Sequence, residues 1–275
     1  MRADLHVHTY YSDGLLSPAE VALEGVKNGL NAIAITDHDY MLAFNEFSAV
    51  CKEKGITAIS GIEISAYEKD VKIHTLGYNL NGESPCFKEF YKKLYDGSVK
   101  RTEDIIFKLE KNGVKLDIDE IINERRSPLS PIHAMYIAIA GCRKGYAKTP
   151  FAFYNQYLAY GRCGFSSICR PSPEEAIEVI NSSGGFASLA HPGRIEMGRD
   201  DLMRLIAKLK ACNLSGIEGV YSAHTQVETA YYKEIAKEFG LLVTGGSDTH
   251  VLGGSKKIGT PPFFIDEALG SKLGI

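Results

Sequence analysis

Asp4-Leu5-His6-Val7-His8 opens the chain with two imidazoles one residue apart, and Thr9-Tyr10-Tyr11-Ser12-Asp13-Gly14 follows at once. In an extended strand alternate side chains share a side, so Asp4, His6 and His8 would lie on one face, with Leu5 and Val7 on the other. Two neutral imidazoles so placed can grip one ion of Zn, Fe or Mn. Asp4 would then suit the outer role of holding an imidazole by its second ring nitrogen. Taken alone, the stretch also reads as a surface strand with two incidental histidines. Its companions further along the chain decide the matter.

Those companions close short apolar runs. Ala32-Ile33-Ala34-Ile35 ends in Thr36-Asp37-His38-Asp39, and Thr57-Ala58-Ile59-Ser60-Gly61-Ile62 leads to Glu63. Phe186-Ala187-Ser188-Leu189-Ala190 delivers His191-Pro192-Gly193-Arg194, and Leu241-Leu242-Val243-Thr244 ends in Gly245-Gly246-Ser247-Asp248-Thr249-His250. His74 lies inside Val71–Tyr78, where by itself it reads as a core histidine. Asp37 and Asp39 read as turn formers.

The elements that must position these residues alternate regularly. Ser17-Pro18-Ala19-Glu20 and Ser172-Pro173-Glu174-Glu175 are capping boxes with proline at the first helical position. Helices carrying Phe44, Phe47 and Val50, then Leu202, Leu205, Ile206 and Leu209, then Val227, Tyr231 and Ile235, each precede a short apolar run. Helix, glycine, short strand, polar residue at the strand's end: this order predicts parallel strands covered by helices. In a β/α barrel the strands' C-terminal ends converge on one mouth. Scattered structural histidines would have no reason to fall there.

From about residue 82 to 170 the rhythm breaks. Phe87, Phe90 and Leu94, then Ile105, Ile106 and Leu109, mark helices, and Ile132–Ala140 and Phe151–Leu158 look helical as well. No strand with a terminal ligand recurs, so the expectation is a helical insertion (82–170) over or beside the mouth of a barrel made from 1–81 and 171–275.

Composition sets the bounds. With 275 residues, 44% hydrophobic and 24% charged, the chain can bury an ample core. A net charge of −3 offers no basic field for a nucleic-acid backbone. No apolar run approaches a membrane span, and the N-terminus reads as a strand without a signal peptide, so a cytoplasmic address is the default. The six cysteines form no C-x-x-C pair, which leaves imidazole and carboxylate to hold any metal.

Together, Asp4-Leu5-His6-Val7-His8, Ser12-Asp13-Gly14, Thr36-Asp37-His38-Asp39, Gly61-Ile62-Glu63, His74, Ala190-His191-Pro192 and Gly246-Ser247-Asp248-Thr249-His250 resemble the PHP (polymerase and histidinol phosphatase) family. The likeness is to its stand-alone phosphoesterase branch with a helical insertion. It implies an α/β fold, a distorted (β/α)7 TIM-like barrel with an inserted helical subdomain. It also implies up to three metal ions (Mn, Fe or Zn). One would be held by His6, His8, Glu63 and Asp248, a second by the bridging Glu63 with His74 and His191, a third by Asp13, His38 and His250. Nine nitrogen and oxygen ligands without sulfur suit such ions.

The resemblance also places Arg194 and His224 near a substrate phosphate. Arg194 is a planar donor fork suited to phosphate, and His224 is a candidate to bind phosphate or donate a proton. His133 stands where relatives carry Arg-x-His, but here the stretch reads Ser130-Pro131-Ile132-His133, with Pro131 in place of the arginine. Arg125, Arg126, Arg143 and Arg162 are candidates to replace it.

The implied activity is hydrolysis of a small phosphorylated substrate by metal-activated hydroxide, with AMP or a nucleoside bisphosphate as candidates. An exonuclease on short oligonucleotides, a histidinol-phosphate-type phosphatase and a metal-dependent amidohydrolase are the alternatives. An amidohydrolase usually adds a modified lysine at a strand end, and no lysine follows an apolar run in that way. A non-catalytic polymerase accessory module would be expected to have lost ligands, and all nine are present. No membrane, long nucleic acid or obligate protein partner is expected.

Overall fold

The computed structural model describes residues 1–251 and 256–275. The chain divides into two compact units, one of Met1–Lys88 with Pro171–Ile275 and one of Glu89–Arg170.

In chain order the elements are β1 (Arg2–Asp4), α1 (Pro18–Lys27), β2 (Ala32–Ile35), α2 (Phe44–Lys54), β3 (Thr57–Glu68), β4 (Val71–Tyr78) and α3 (Pro85–Glu110). Then come α4 (Ile118–Ile122), α5 (Ala134–Arg143), α6 (Pro150–Phe153) with a π-helical turn (Tyr154–Leu158), and α7 (Pro173–Ser182). The chain ends with β5 (Phe186–Leu189), a 3-10 turn (Pro192–Arg194), α8 (Arg199–Ala211), β6 (Gly216–Tyr221), α9 (Gln226–Phe239), β7 (Leu242–Gly246), β8 (Phe263–Phe264) and α10 (Glu267–Leu273). Both capping boxes form, on α1 and α7, and Gly55 and Gly240 end α2 and α9 in the left-handed conformation.

The strands make one sheet in the order β7-β6-β5-β4-β3-β2-β1-β8. Its ends meet through the chain just beyond β1. Leu5 N–H donates to Gly245 O at 3.0 Å, His8 N–H to Thr249 O at 3.0 Å and Asp248 N–H to His6 O at 2.7 Å. The seven strands expected are all present, and β8 adds two residues antiparallel to β1.

Not every strand is parallel, however. β3 and β4 are joined by Lys69-Asp70 alone, too short for a crossover, so β4 runs antiparallel to both β3 and β5. β3 accordingly continues past Glu63 to Glu68, and Ser65 pairs with His74. The reversal puts a mid-strand histidine at the same level as the other strands' ends.

One buried cluster joins Leu5, just beyond β1, and Ala34, Ile59, Leu76, Tyr78, Phe186 and Val220 of the strands with Leu269 and Leu273 of α10. The alternate residues Ile33 and Ile35 pack outward with Val21, Ala22, Phe47 and Cys51 under α1 and α2. On α9 the buried residues are Tyr232, Ile235 and Ala236, and Val227 is exposed, so the inward stripe lies one step round from the Val227–Tyr231 line. In the second unit Leu109, Ile121, Ile132, Ile137 and Phe153 form a separate core. α3 is one continuous 26-residue helix rather than two. Among the described residues no helix is long and apolar enough to cross a membrane.

Asp4 ties the barrel seam. Its Oδ1 accepts from His6 N–H at 3.2 Å and Ser247 N–H at 2.9 Å, and its Oδ2 from Gly259 N–H at 2.7 Å. The carboxylate therefore holds backbone, not an imidazole, because among the described residues these three donors have no strand partner where the sheet closes. Asp4→Ala should strand them in a buried site and lower stability by about 3 kcal/mol or more. Urea unfolding of the metal-free variant checks this, and a midpoint equal to the wild type's would contradict it.

Candidate metal centre

Strand ends and their following loops bring nine polar side chains together. His6 and His8 follow β1, Asp13 the next loop, His38 β2, His191 β5, and Asp248 and His250 β7. Glu63 and His74 come from the β3–β4 hairpin. Bringing the chain past His6 needs Gly246, where a Cβ would lie 2.3 Å from the His6 Cβ. His191 (φ 25°) and Asp248 (φ 53°) hold left-handed backbone that non-glycine residues seldom adopt, and such strain gathers at functional sites.

The distances have a pattern. His6 Nε2 lies 3.2 Å from His8 Nε2, 3.3 Å from Glu63 Oε2 and 3.5 Å from Asp248 Oδ1. His8 Nε2 is 3.2 Å from both of those carboxylate oxygens. A tetrahedral ion with bonds of about 2.0–2.1 Å separates its ligands by roughly 3.3 Å, so these four atoms mark the edges of a coordination shell. Glu63 turns its other oxygen elsewhere. Oε1 lies 2.8 Å from His74 Nδ1 and 2.9 Å from His191 Nε2, and those nitrogens are 3.2 Å apart.

Asp13 gathers the rest. Its Oδ1 is 3.2 Å from His250 Nε2, and its Oδ2 is 3.7 Å from His38 Nε2. His8 and His38 present both ring nitrogens to the cluster. His8 Nδ1 is 3.7 Å from Asp13, and His38 Nδ1 is 3.2 Å from Glu63 Oε2. The groups overlap rather than forming three separate cages. A donor set of imidazole nitrogens and carboxylate oxygens at these spacings fits borderline and hard divalent metals.

The charges are unbalanced without a cation. Burial would raise the carboxyls of Asp13, Glu63 and Asp248, but the surrounding histidines hold all three well below the usual range. Burial would lower His6 and His8, yet the carboxylates win. His6 is pushed well above its ordinary value and His8 up to about 10. Burial does prevail at His38, held well below its ordinary value, and at His74, lowered to about 4.

Four residues outside the nine expected ligands hold this arrangement. Glu218, fully buried in β6, sets Oε1 2.9 Å from His6 Nδ1 and accepts the His191 N–H on Oε2 at 2.7 Å. The role first expected of Asp4, orienting an imidazole from behind, belongs to Glu218. Its signal was an acid inside the apolar run Ile217-Glu218-Gly219-Val220. Asp37 is not a mere turn former. Its carboxylate accepts from Thr9 N–H and Thr9 Oγ1, both at 2.7 Å, and from Ser12 Oγ at 2.6 Å, which fixes the loop before Asp13. Asp39 does turn the chain (φ 58°), and it also accepts the Ser65 N–H at 2.8 Å. Lys256 places Nζ on Asp248 Oδ2 and 2.9 Å from the Tyr221 hydroxyl, and no motif marked it.

Arg194 donates from Nη1 to the Tyr221 hydroxyl at 3.0 Å, and that nitrogen is 4.0 Å from Asp248 Oδ2. His224 Nε2 accepts the Gly193 N–H at 3.3 Å, with the ring between Tyr221 and Tyr232. Burial lowers its pKa from the ordinary imidazole value. His133 belongs to the second unit, where it is buried just before α5 with its ring 5.7 Å from Tyr136. Arg125 donates there to Pro128 O and Ser130 O, holding its own loop.

The family model described as PHP domain matches residues 4–251. A 3',5'-nucleoside bisphosphate phosphatase of Chromobacterium violaceum is 30% identical over 257 residues, 93% of this chain and 90% of that protein. A 5'-3' exoribonuclease of Haemophilus influenzae is also 30% identical, over 97% of this chain and 96% of that one. Among solved structures, one titled an amidohydrolase from Chromobacterium violaceum with bound sulfate and no metal superposes with a TM-score of 0.86 at 27% identity, covering 100% of this chain and 96% of that one.

Glu218→Gln should weaken metal binding by about 10- to 100-fold while leaving the fold intact, because such outer partners set ligand orientation and basicity. Competition with a chromophoric chelator measures it, and unchanged affinity would remove Glu218 from the centre. The same titration should show wild-type affinity falling as pH drops. His6 and His8, whose pKa values are raised, hold protons that a metal must displace, and acid favours the proton.

Proposed function

This chain belongs to the PHP domain family, and from that premise we propose that it hydrolyses a phosphate ester of a small nucleotide, such as AMP or a nucleoside bisphosphate, at a centre of up to three Mn, Fe or Zn ions. The observation that carries the reading is Glu63, whose two oxygens face different histidine groups, His74 and His191 on one side and His6, His8 and His38 on the other. A carboxylate shared in this way suits adjacent cations.

Cations bound there would supply neutralisation of phosphate charge and a water acidic enough to act as nucleophile at neutral pH. In the proposed assignment His6, His8, Glu63 and Asp248 hold one ion, Glu63, His74 and His191 a second, and Asp13, His38 and His250 a third. Glu218 fixes His6 from behind and anchors the His191 backbone, so two strands keep their ligands in register. Arg194 offers its guanidinium to phosphate oxygens at the rim. His224, which accepts the Gly193 N–H, sets the turn that carries Arg194 and lines the phosphate's approach.

A second reading, trimming of short oligonucleotides from an end, is favoured by the equal identity of the exoribonuclease relative. The net charge of −3 speaks for the smaller substrate, since long backbones bind through positive grooves.

The test loads the protein with Mn, Fe or Zn, counts bound ions by elemental analysis, and compares kcat/KM on AMP, a nucleoside 3',5'-bisphosphate, histidinol phosphate and oligonucleotides of increasing length at fixed salt. More than one ion per chain and the highest efficiency on a mononucleotide are expected. Glu63→Gln should lose roughly a thousandfold or more, since it removes charge from the shared position. Efficiency that rises with oligonucleotide length would establish the exonuclease instead. Inertness toward every ester would return the amidohydrolase.

A further inference from the structure

We propose that Lys256 is a second phosphate-binding cation of this site, forming with Arg194 a clamp that favours a dianionic phosphomonoester over a phosphodiester. The proposal rests on the phosphoesterase reading above and adds to it a residue and a charge preference.

The Tyr221 hydroxyl spaces the two cations. A phenol has one proton to give and accepts through its oxygen lone pairs. Here the proton goes to Asp248 Oδ2 at 2.8 Å, while Arg194 Nη1 donates to the oxygen at 3.0 Å and Lys256 Nζ at 2.9 Å. With three neighbours the hydroxyl is saturated and serves as a post between the two positive groups. Lys256 also bonds Asp248 Oδ2 and lies 5.1 Å from the centre of the Tyr221 ring.

The donor inventory shows what is left over. An ammonium has three N–H donors and a guanidinium five. Among the described residues Lys256 directs two, to Asp248 and Tyr221, and keeps one. Arg194 directs one to Tyr221, and its side chain is 57% exposed. Asp248 turns its other oxygen to His6 and His8, so the leftover donors stand beside the candidate metal centre. One carboxylate oxygen does not need two cations, and an anion from solution is the natural recipient of the rest. A terminal phosphate carries close to two negative charges at neutral pH and can meet both cations, whereas a diester carries one.

The experiment measures inorganic phosphate binding to the metal-loaded protein by calorimetry, with bound metal counted in the same samples. It adds KM and kcat for 4-nitrophenyl phosphate and for bis(4-nitrophenyl) phosphate. Lys256→Met should bind phosphate roughly 10- to 100-fold more weakly at unchanged metal content, the loss of one charge-assisted hydrogen bond. Its KM should rise for the monoester far more than for the diester, with Lys256→Arg restoring part of the loss. Tyr221→Phe should weaken phosphate in the same direction by releasing the post. Unchanged phosphate affinity in Lys256→Met would overturn the clamp. So would a loss that merely follows loss of metal, because Lys256 would then act through Asp248 alone. A wild-type protein that neither binds phosphate nor cleaves either ester would instead overturn the phosphoesterase reading, and the clamp with it.

Discussion

Everything at the barrel mouth depends on one carboxylate facing two ways. Glu63 is almost wholly buried, with histidine nitrogens within 3.3 Å of both its oxygens. A buried carboxylate costs several kcal/mol unless countercharge and hydrogen bonds compensate it. Its neighbours are imidazoles, which carry charge only when protonated or when they share a cation. The fold has therefore built a place where positive charge must be supplied, and the rest of the barrel holds that demand in position.

The holding is done from behind. Asp4 fixes the seam between the first strand and the loop after β7, Asp37 fixes Thr9 and Ser12, and Glu218 joins His6 to the His191 backbone. Each accepts two or three hydrogen bonds and is nearly inaccessible, so each removes a degree of freedom from a ligand that loops alone would leave mobile. The left-handed backbone at His191 and Asp248 is tolerated for the same reason: the surrounding bonds over-determine it.

Much of this was legible in the chain. Capping boxes, glycine stops and short apolar runs predicted the helices and strand ends, and the residues at those ends are the ones the structure gathers. The β3–β4 hairpin was not legible in the same way. His74 sits mid-strand by pattern, and only the tight link at Lys69-Asp70 reverses β4 and carries it to the mouth. Asp37 and Glu218 were missed for a different reason. A turn aspartate and a strand glutamate look alike in sequence whether they face water or orient a ligand, because the partner lies 28 residues away for Asp37 and 212 for Glu218. Lys256 escaped because a lysine in a loop is ordinarily a solvated charge.

The charge balance explains why such cations stand beside so acidic a centre. Asp13, Glu63, Glu218 and Asp248 bring four negative charges into one small volume, and Arg194 and Lys256 return two at its rim. Without metal the remainder falls to protons on His6 and His8, which is why those two rings hold them so strongly. Two or three divalent cations would reverse the sign, leaving a site that attracts an anion instead of repelling it. Lys256 and Arg194 then have a different task in each state. Beside Asp248 they offset its carboxylate; with cations held by His6, His8, Glu63 and Asp248, that demand would fall and the proposed clamp would be left to meet an arriving phosphate. Under the proposed clamp the same two side chains would serve both tasks, countercharge for Asp248 and recognition of the phosphate.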